Sequence, residues 1–286
     1  MITAPGIYPN MTADEYFDDP CIEPSLTQSL IPLMLKRSPY HFAYAHPRLN
    51  AYGGEGAMPE KTQFLGTAVH RLALGRGKEI STIRYKDYTS GSAREARDLA
   101  IANGRIPVLE NELVKARDMA DIVKQQINEA LDGAPYLTEV VVAWQEQTVH
   151  GPIWCRSMLD VWCEEKRMVL DPKALRISAT AGAFGKTASD SGYDIQGVFY
   201  PRGLEKVLPQ YKGEIRFANL VVENTPPHGS QMFEPDPATR AIAENQIAQA
   251  MELFALCLHT RSWPGYPKGI QPYSTPAYYQ NQISNA

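Results

Sequence analysis

Two aspartates and a lysine stand close together in the segment MLDVWCEEKRMVLDPKAL, residues 158–175. Asp160 and Asp171 flank a short charged run, and Lys173 follows the second aspartate by two positions. If residues 164–167 form a hairpin turn, the two aspartates face each other with their Cβ atoms roughly 5 Å apart. Lys173 then emerges on the same face of its strand as Asp171. The spacing therefore predicts a site with two carboxylates and one ammonium group.

Directly opposed carboxylates repel each other and need compensation. A hard divalent cation such as Mg²⁺ or Mn²⁺ would supply it, because carboxylate oxygens are its preferred ligands. Lys173 could then orient a water molecule or stabilise negative charge on a phosphate. The same spacing also fits two exposed aspartates that pair with Lys173, Lys166 or Arg156, and both interpretations stay open at this point.

Three further polar positions follow in the segment SGYDIQGVFY. Tyr193, Gln196 and Tyr200 are spaced i, i+3 and i+7, so they share one face of a predicted helix. A face built from these residue types is not a core stripe, although it is also compatible with an ordinary exposed surface.

One histidine and one glutamate are candidates before the aspartates. His70, in GTAVHRLALG, follows small residues that allow close approach on a predicted helix. A single histidine also serves often as a structural residue. Glu139 stands at the start of a predicted strand, TEVVVAW, where a solvated strand end is the simpler interpretation.

The elements that must position these residues form an α/β pattern. Short helices are predicted to about residue 47, followed by a glycine-rich surface loop over 48–61. The periodicity then predicts one helix that stops at Gly75 and another within 107–131. Three antiparallel strands follow Gly133. The remaining predicted elements are a helix near 187–207, a strand at 214–224, a helix at about 237–260 and a proline- and tyrosine-rich tail.

Composition excludes some classes of protein. The chain has 286 residues, a formal net charge of −4 and four cysteines without metal-binding spacing, so we expect buried free thiols. A net negative charge argues against a general nucleic-acid coat, but a locally basic channel stays compatible with it. No apolar run reaches the length of about 18 residues that a membrane span needs, and the first residues do not resemble a signal peptide. The expected location is the cytoplasm.

The order of these motifs resembles that of a known superfamily. The motifs are G-x-x-x-H on a helix, Glu on a strand, an Asp, D-x-K on the next strand and Q-x-x-x-Y on a following helix. This order is similar to that of the PDDEXK nucleases, in the branch that contains RecB-type and lambda-type exonucleases. The segments GIYPNMTADEYF, FLGTAVHRLAL, VENTPP and WPGY further resemble the RecE-like group, the exonuclease VIII nuclease domain of phages and prophages. The resemblance covers about residues 6–267.

The resemblance implies a fold and a domain organisation. The expected fold is a PDDEXK restriction-endonuclease-like α/β core, a central mixed sheet flanked by helices, with helical additions at both ends. One nuclease domain would span residues 1–286. It would consist of an N-terminal helical region and loop (1–61), a catalytic core (62–224) and a C-terminal helix and tail (225–286).

The resemblance also implies roles for individual residues. The metal ligands would be His70, Asp160, Asp171 and the backbone carbonyl of Pro172. Lys173 would position the attacking water and offset negative charge on the phosphate. Gln196 and Tyr200 would orient the site or contact DNA, and Glu139 would lie at its edge. The expected contacts to DNA are Arg156, Tyr193, Lys36 and Arg37.

Three positions depart from the superfamily pattern or from strand geometry. Asp171 replaces the more common glutamate, and Ala174 stands where Thr or Ser is common. Pro172 lacks a backbone N–H, so we expect its strand to end or to be locally unpaired there.

The implied activity is Mg²⁺-dependent exonucleolytic digestion of linear double-stranded DNA, with Mn²⁺ as a substitute. Digestion from 5′ to 3′ would leave 3′ overhangs for a single-strand annealing recombinase. A ring-shaped trimer or tetramer, encoded by a phage and acting in the host cytoplasm, would enclose the DNA. The alternatives are a PDDEXK endonuclease of the resolvase or restriction type, and an inactive fold that serves as a DNA-binding or phage assembly module.

Overall fold

The computed structural model describes residues 1–50 and 61–275, so the loop predicted over 48–61 falls almost entirely outside the described residues. The described helices are α1 (Ala13–Phe17), α2 (Ile31–Lys36), α3 (Pro39–Ala45), α4 (Lys61–Leu74), α5 (Gly91–Ala102), α6 (Glu110–Leu131), α7 (Ala181–Ser191), α8 (Tyr193–Val207) and α9 (Pro237–Thr260). The described strands are β1 (Gly6–Tyr8), β2 (Ser25–Leu26), β3 (Ile80–Ile83), β4 (Ile106–Leu109), β5 (Leu137–Thr148), β6 (Gly151–Cys163), β7 (Met168–Leu175), β8 (Arg216–Glu223) and β9 (Ser230–Phe233).

A mixed sheet of seven strands forms the centre of the molecule, which confirms the predicted α/β class. Its order is β1-β5-β6-β7-β8-β9, and β2 pairs with β6 beside this path. The β5–β6–β7 part is antiparallel, whereas β7 and β8 are parallel. The strands β3 and β4 form a separate parallel pair.

Helices cover both faces of this sheet. On one face, α4 and α6 pack against alternate residues of β7 and β8 such as Leu170 and Leu220. The predicted apolar stripe of α6 is the buried side of that helix. On the other face, α8 and α9 pack with α2 and α3 against Trp144, Trp162 and Phe217. The sheet is therefore buried from two sides, and β6 and β7 lie in its interior.

The regular alternation of side chains along β6 breaks near Asp160. Leu159 and Trp162 both pack on the α8 side, whereas Val161 packs on the α6 side. In an undisturbed strand, Leu159 and Val161 would point to the same face. Opposite this break, Glu139 of β5 has a φ of +50°, which is uncommon for a non-glycine residue. β5 and β6 are therefore both distorted at neighbouring positions, where the candidate acidic residues Glu139 and Asp160 lie.

Several predicted elements are confirmed, and one is corrected. The three antiparallel strands, the helix that ends before Gly75 and the long C-terminal helix are present. The single helix predicted near 187–207 is wrong. The structure has α7 and α8, which meet at Gly192 with a φ of +77°. A Cβ at this glycine would also lie 2.9 Å from Cγ of Pro32. Both the backbone conformation and the lack of space therefore favour glycine at position 192.

The four cysteines are buried and free, as predicted. Within the described residues, every helix is too short or too polar to cross a lipid bilayer.

Candidate active site

The two aspartates lie at the same level of neighbouring strands. The β6–β7 ladder pairs Cys163 with Met168 and, at its other end, Val161 with Leu170. Asp160 and Asp171 are the next residues on the two strands. Residues 164–167 form the turn, closed by a hydrogen bond from the Arg167 N–H to the Glu164 carbonyl at 3.1 Å. This is the register that the hairpin prediction requires.

Beyond that level, β6 and β7 have different partners. β2 pairs with β6 at Trp154 and Cys155. β7 continues along β8 as far as Leu175. Asp160 and Asp171 therefore stand where the two strands begin to separate, and the space between the strands is open to other side chains.

His70 of α4 connects two of the carboxylates. Its Nε2 lies 3.0 Å from Oδ1 of Asp160, and its Nδ1 lies 3.6 Å from Oε1 of Glu139. Burial disfavours the charged imidazole, but the two carboxylates outweigh this effect and raise the pKa of His70. Burial also disfavours the charged form of Asp160, yet His70 and Lys173 hold the pKa of Asp160 below its usual range. For Glu139, burial and the nearby Asp160 raise the pKa despite His70.

Asp171 is buried and held from several directions. Its Oδ1 accepts a hydrogen bond from Nε2 of Gln196 and its Oδ2 accepts one from Nδ2 of Asn219, both at 3.2 Å. Oδ2 also forms an ion pair with Nζ of Lys173. Burial raises the pKa of Asp171 to about 6, and the charge on Asp160 adds to this shift although Lys173 opposes it. The orientation of this carboxylate is therefore fixed by its donors.

Lys173 lies between the carboxylates and an aromatic ring. Its Nζ is 4.9 Å from the ring centroid of Tyr193, within the range of a cation–π contact. Burial disfavours the ammonium ion, but Asp171 and Asp160 outweigh burial and raise the pKa of Lys173. The lysine is charged at neutral pH and is held in place on both sides.

Four of these groups, His70, Asp160, Lys173 and Tyr193, face a cleft of about 670 Å³, whereas Asp171 is buried and does not line it. The residues that line it are Gly66, Thr67, His70, Asp160, Pro172, Lys173, Ala174, Leu175, Arg176, Tyr193 and Asn224. Arg176 is exposed at this cleft and forms no ion pair or side-chain hydrogen bond with any other residue that the structure describes. The cleft therefore offers a cation, Arg176, that is not already neutralised.

The donor set suits a hard divalent cation only in part. Two carboxylates stand next to each other, as such an ion requires. Among the described residues, however, no three His, Cys, Asp or Glu side chains converge as metal ligands. His70 is directed at Asp160, and Lys173 is paired with Asp171. Lys173, and His70 when it is protonated, thus supply positive charge that a metal ion would bring, and an ion could bind once the two side chains move away.

Pro172 does not end its strand. β7 pairs with β8 through this position, with Pro172 opposite Leu220, and the pairing continues to Leu175. Of the two alternatives expected at Pro172, the strand end is therefore wrong, and the locally unpaired position is confirmed on the β6 side. The ladder to β6 ends at Leu170, so the proline lies where β7 is no longer paired on that side, and this explains why it is tolerated.

Arg156 is not placed to contact a phosphate, and this expectation is corrected. Arg156 is only 2% exposed, and its guanidinium pairs with Oδ1 of Asp19 at 2.7 Å. Its guanidinium also donates to the carbonyls of Tyr16 and Ser25. Arg156 therefore ties the N-terminal segment to the sheet.

Of the other three predicted DNA contacts, Lys36 and Arg37 do not line the cleft. Nζ of Lys36 donates to the carbonyl of Ser189 at 2.9 Å, near the end of α7. Arg37 is exposed beside it. By contrast, Tyr193 lines the cleft, and Gln196 and Tyr200 lie just behind Asp171.

Sequence reasoning did not identify Gln28, Asn219 and Arg176. Arg176 follows the D-x-K element by three positions, and this closeness is a signal that could have been used. Asn219 lies opposite Asp171 only because β7 and β8 are parallel neighbours, and a local sequence pattern does not contain that pairing. Gln28 contacts Tyr200, which is 172 positions away.

Comparison with known proteins agrees with this architecture. A crystal structure of a protein from Eubacterium rectale, described as a candidate exonuclease, aligns with a TM-score of 0.55 and 11% sequence identity. The alignment covers 97% of this chain and 99% of that one, and at this identity it shows a shared fold. The alignment with a second crystal structure, described as SSO0001, covers 67% of this chain and 87% of that one at 17% identity. Its TM-score of 0.26 is too low to support an argument. No curated protein matches the sequence.

A family profile matches residues 52–273, which include every residue of the cleft together with Asp171, Gln196 and Tyr200, whereas Gln28, Lys36 and Arg37 precede the match. The matched region contains β5 to β9 of the mixed sheet, α4 and α6 on one face, α8 and α9 on the other, and all the residues that line the cleft. The chain therefore belongs to the family of PDDEXK-like domains of unknown function (DUF3799).

Proposed function

We propose that this protein is a divalent-metal-dependent nuclease that hydrolyses phosphodiester bonds in DNA. The observation that carries the proposal is that Asp160 and Asp171 stand side by side on neighbouring strands of a PDDEXK-like domain, with Lys173 next to Asp171. Asp160 and Lys173 line the cleft. PDDEXK nucleases generally use divalent metal ions. The arrangement supports hydrolysis because it combines carboxylate ligands, a nearby ammonium group and access for a substrate.

The residues that would hold the ion are Asp160 and Asp171, with His70 and the Pro172 carbonyl as further ligands. A divalent ion bound there would lower the pKa of a bound water and neutralise charge on the scissile phosphate. Gln196 and Asn219 fix the orientation of the Asp171 carboxylate through one hydrogen bond to each oxygen.

Lys173 and Arg176 would act on the phosphate side. Once an ion takes the place of the ammonium group at Asp171, Lys173, which also lies against the Tyr193 ring, could orient a water or donate to a phosphate oxygen. Arg176 extends the same side of the cleft and carries an unneutralised charge. It would bind the DNA backbone without reading its sequence.

We further propose that the substrate is the end of linear double-stranded DNA and that the ion is Mg²⁺. The order of the histidine, aspartate, lysine and glutamine–tyrosine motifs, which resembles that of the RecE-like group, supports this finer proposal. The same resemblance supports 5′-to-3′ digestion, a ring-shaped homo-oligomer, an annealing recombinase as partner and a phage or prophage origin.

The test compares linear duplex DNA with covalently closed circular DNA in the presence of Mg²⁺. The wild-type protein is expected to degrade the linear DNA, and both EDTA and Asp160→Asn should abolish the degradation. Asp118→Asn, at an exposed position on α6 that does not line the cleft, removes the same charge and should have no effect. Release of label from 5′-labelled or 3′-labelled ends determines the direction of digestion.

Each result decides between the candidate functions. Nicking of closed circles would replace the exonuclease with an endonuclease of the same fold. Binding of DNA without cleavage, in both Mg²⁺ and Mn²⁺, would contradict the enzymatic proposal and favour a binding module.

A further inference from the structure

The N-terminal segment before residue 52 lies outside the family match, but it reaches the centre of the molecule. Its strand β2 pairs with β6 at Trp154 and Cys155, on the strand that carries Asp160. Gln28 follows β2 directly in the short helical turn Gln28–Leu30.

Gln28 is the first member of a hydrogen-bond chain that ends at Asp171. Its Nε2 donates to the hydroxyl oxygen of Tyr200 at 3.0 Å. Nε2 of Gln196 donates to the same oxygen at 2.9 Å and to Oδ1 of Asp171 at 3.2 Å. The Tyr200 hydroxyl therefore accepts hydrogen bonds from two carboxamides. One belongs to Gln28 of the N-terminal segment, and the other belongs to Gln196, which also contacts the Asp171 carboxylate.

Burial makes this chain sensitive to the loss of one member. Tyr200 and Gln196 are 3% and 7% exposed, so water cannot readily replace a missing partner. The Oε1 atoms of Gln28 and Gln196 are buried and have no hydrogen-bond partner among the described residues. Each amide is thus held by its Nε2 alone, and the common acceptor is the Tyr200 hydroxyl.

The segment that carries Gln28 is itself fixed. The backbone N–H of Ser25 donates to Oδ2 of Asp19 at 3.0 Å, and the guanidinium of Arg156 donates to the Ser25 carbonyl at 3.0 Å. Asp19 and Arg156 also form a buried ion pair. Gln28 is therefore presented to Tyr200 from a rigid support rather than from a loose chain end.

We propose that Gln28 is a positioning residue that acts through Tyr200 and Gln196 to hold the Asp171 carboxylate in the orientation that binds a divalent ion. The N-terminal segment would thereby complete the metal site without contacting the ion. This inference rests on the proposed function, since it assigns metal binding to Asp171.

The test measures Mn²⁺ affinity by calorimetric titration of the full chain, without DNA. Gln28→Met keeps the length of the side chain and removes the donor, and Tyr200→Phe removes the acceptor. Each single variant is expected to weaken Mn²⁺ binding by about threefold to tenfold, the effect of one hydrogen bond. Because both act through one chain, the double variant should bind no more weakly than Tyr200→Phe alone.

Controls separate positioning from folding. Ser29→Ala changes the neighbouring exposed residue of the same turn and should bind Mn²⁺ as the wild-type protein does. Circular dichroism and thermal unfolding show whether each variant is folded. Tyr200→Phe preserves the ring packing, so the comparison does not depend on a disruptive substitution.

The proposal is overturned if Gln28→Met binds Mn²⁺ like the wild-type protein, or if the two single effects add in the double variant. Failure of the proposed function gives a different result: the wild-type protein would bind Mn²⁺ with the expected coupling and yet cleave no DNA. A wild-type protein that binds no Mn²⁺ contradicts both proposals.

Discussion

Lys173 and Asp171 form an ion pair between positions i and i+2 of one strand, so both side chains lie on the same face of β7. The pair neutralises a buried carboxylate that would otherwise face the charge of Asp160. The same ammonium group lies against the Tyr193 ring. In the proposed function Lys173 thus has two roles that oppose each other, because it competes with a metal ion for Asp171 and also supplies positive charge at the phosphate.

Replacement of Lys173 by Gln should separate these two roles. Without the ammonium group, Asp171 loses its competing cation, so Mn²⁺ should bind more tightly than in the wild-type protein. Phosphodiester cleavage should nevertheless fall by about 10²-fold or more, because a preorganised charge at the phosphate is lost. Titration with Mn²⁺ and single-turnover cleavage measure the two effects. Lys115→Gln, at an exposed position on α6, is the control, and weaker Mn²⁺ binding in Lys173→Gln would contradict the competition.

Arg176→Ala should weaken DNA binding without changing Mn²⁺ affinity. Arg176 lines the cleft, and one lost phosphate contact lowers the slope of log affinity against log salt concentration by about one. Binding of a labelled duplex to the protein in Ca²⁺, measured at several salt concentrations, gives this slope. The matched variant Arg117→Ala removes an exposed arginine of α6. An equal slope in Arg176→Ala and the wild-type protein would exclude the phosphate contact.

His46 should make the stability of the fold depend on pH. Burial lowers the pKa of His46 from 6.5 to about 4, with Arg156 and Arg48 adding to the shift while Asp19 opposes it. Its Nδ1 accepts a hydrogen bond from the Arg48 N–H at 3.2 Å, which requires a neutral ring. Between pH 6.5 and about pH 4, His46 is protonated in the unfolded chain but neutral in the folded protein. The stability of the fold therefore falls as pH decreases through this range. The expected loss from pH 7 to pH 4 is about 3 kcal/mol.

Urea unfolding at several pH values tests this expectation. His46→Gln should lose this part of the pH dependence, since glutamine does not titrate. His259→Gln, at an exposed position on α9, should retain it. An unchanged pH profile in His46→Gln would show that His46 is not the group responsible.

Two glycines in neighbouring helices test how closely α8 packs on the sheet. A Cβ at Gly203 of α8 would lie 2.5 Å from the Trp144 ring, whereas a Cβ at Gly185 of α7 meets no atom within 4 Å. Gly203→Ala should therefore destabilise the protein by about 1–3 kcal/mol. Gly185→Ala should stabilise it by about 0.5–1 kcal/mol, because alanine favours a helix. Equal unfolding free energies for the two variants would contradict the close contact between α8 and Trp144.

The parts of the fold that could be predicted from sequence are those with local signals. The hairpin register follows from the length of the charged turn, and the buried stripe of α6 follows from helical periodicity. The pair β3 and β4 has only four residues in each strand, which is too short for a clear alternation. The close approach of Pro32 to Gly192, where α7 ends and α8 begins, joins positions that are distant in sequence.

The residues of the candidate site also divide into those that a local sequence pattern indicates and those that it does not. Asp160, Asp171 and Lys173 belong to one hairpin, so local spacing was enough to bring them together. The burial of Arg156 could not be seen, because the N-terminal residue Asp19 pairs with it across a long stretch of sequence. Asn219 and Gln28 reach the site only through strand pairing and helix packing that join distant segments.

The most direct test of the central claim, that Asp160 and Asp171 hold a divalent ion, is a crystal structure of the protein soaked with Mn²⁺ and recorded at a wavelength with anomalous signal. The account predicts an anomalous peak within coordination distance of both carboxylates, with Lys173 displaced from Asp171 and His70 turned toward the ion. The absence of a peak there at saturating Mn²⁺, with the His70–Asp160 and Lys173–Asp171 pairs intact, would contradict it.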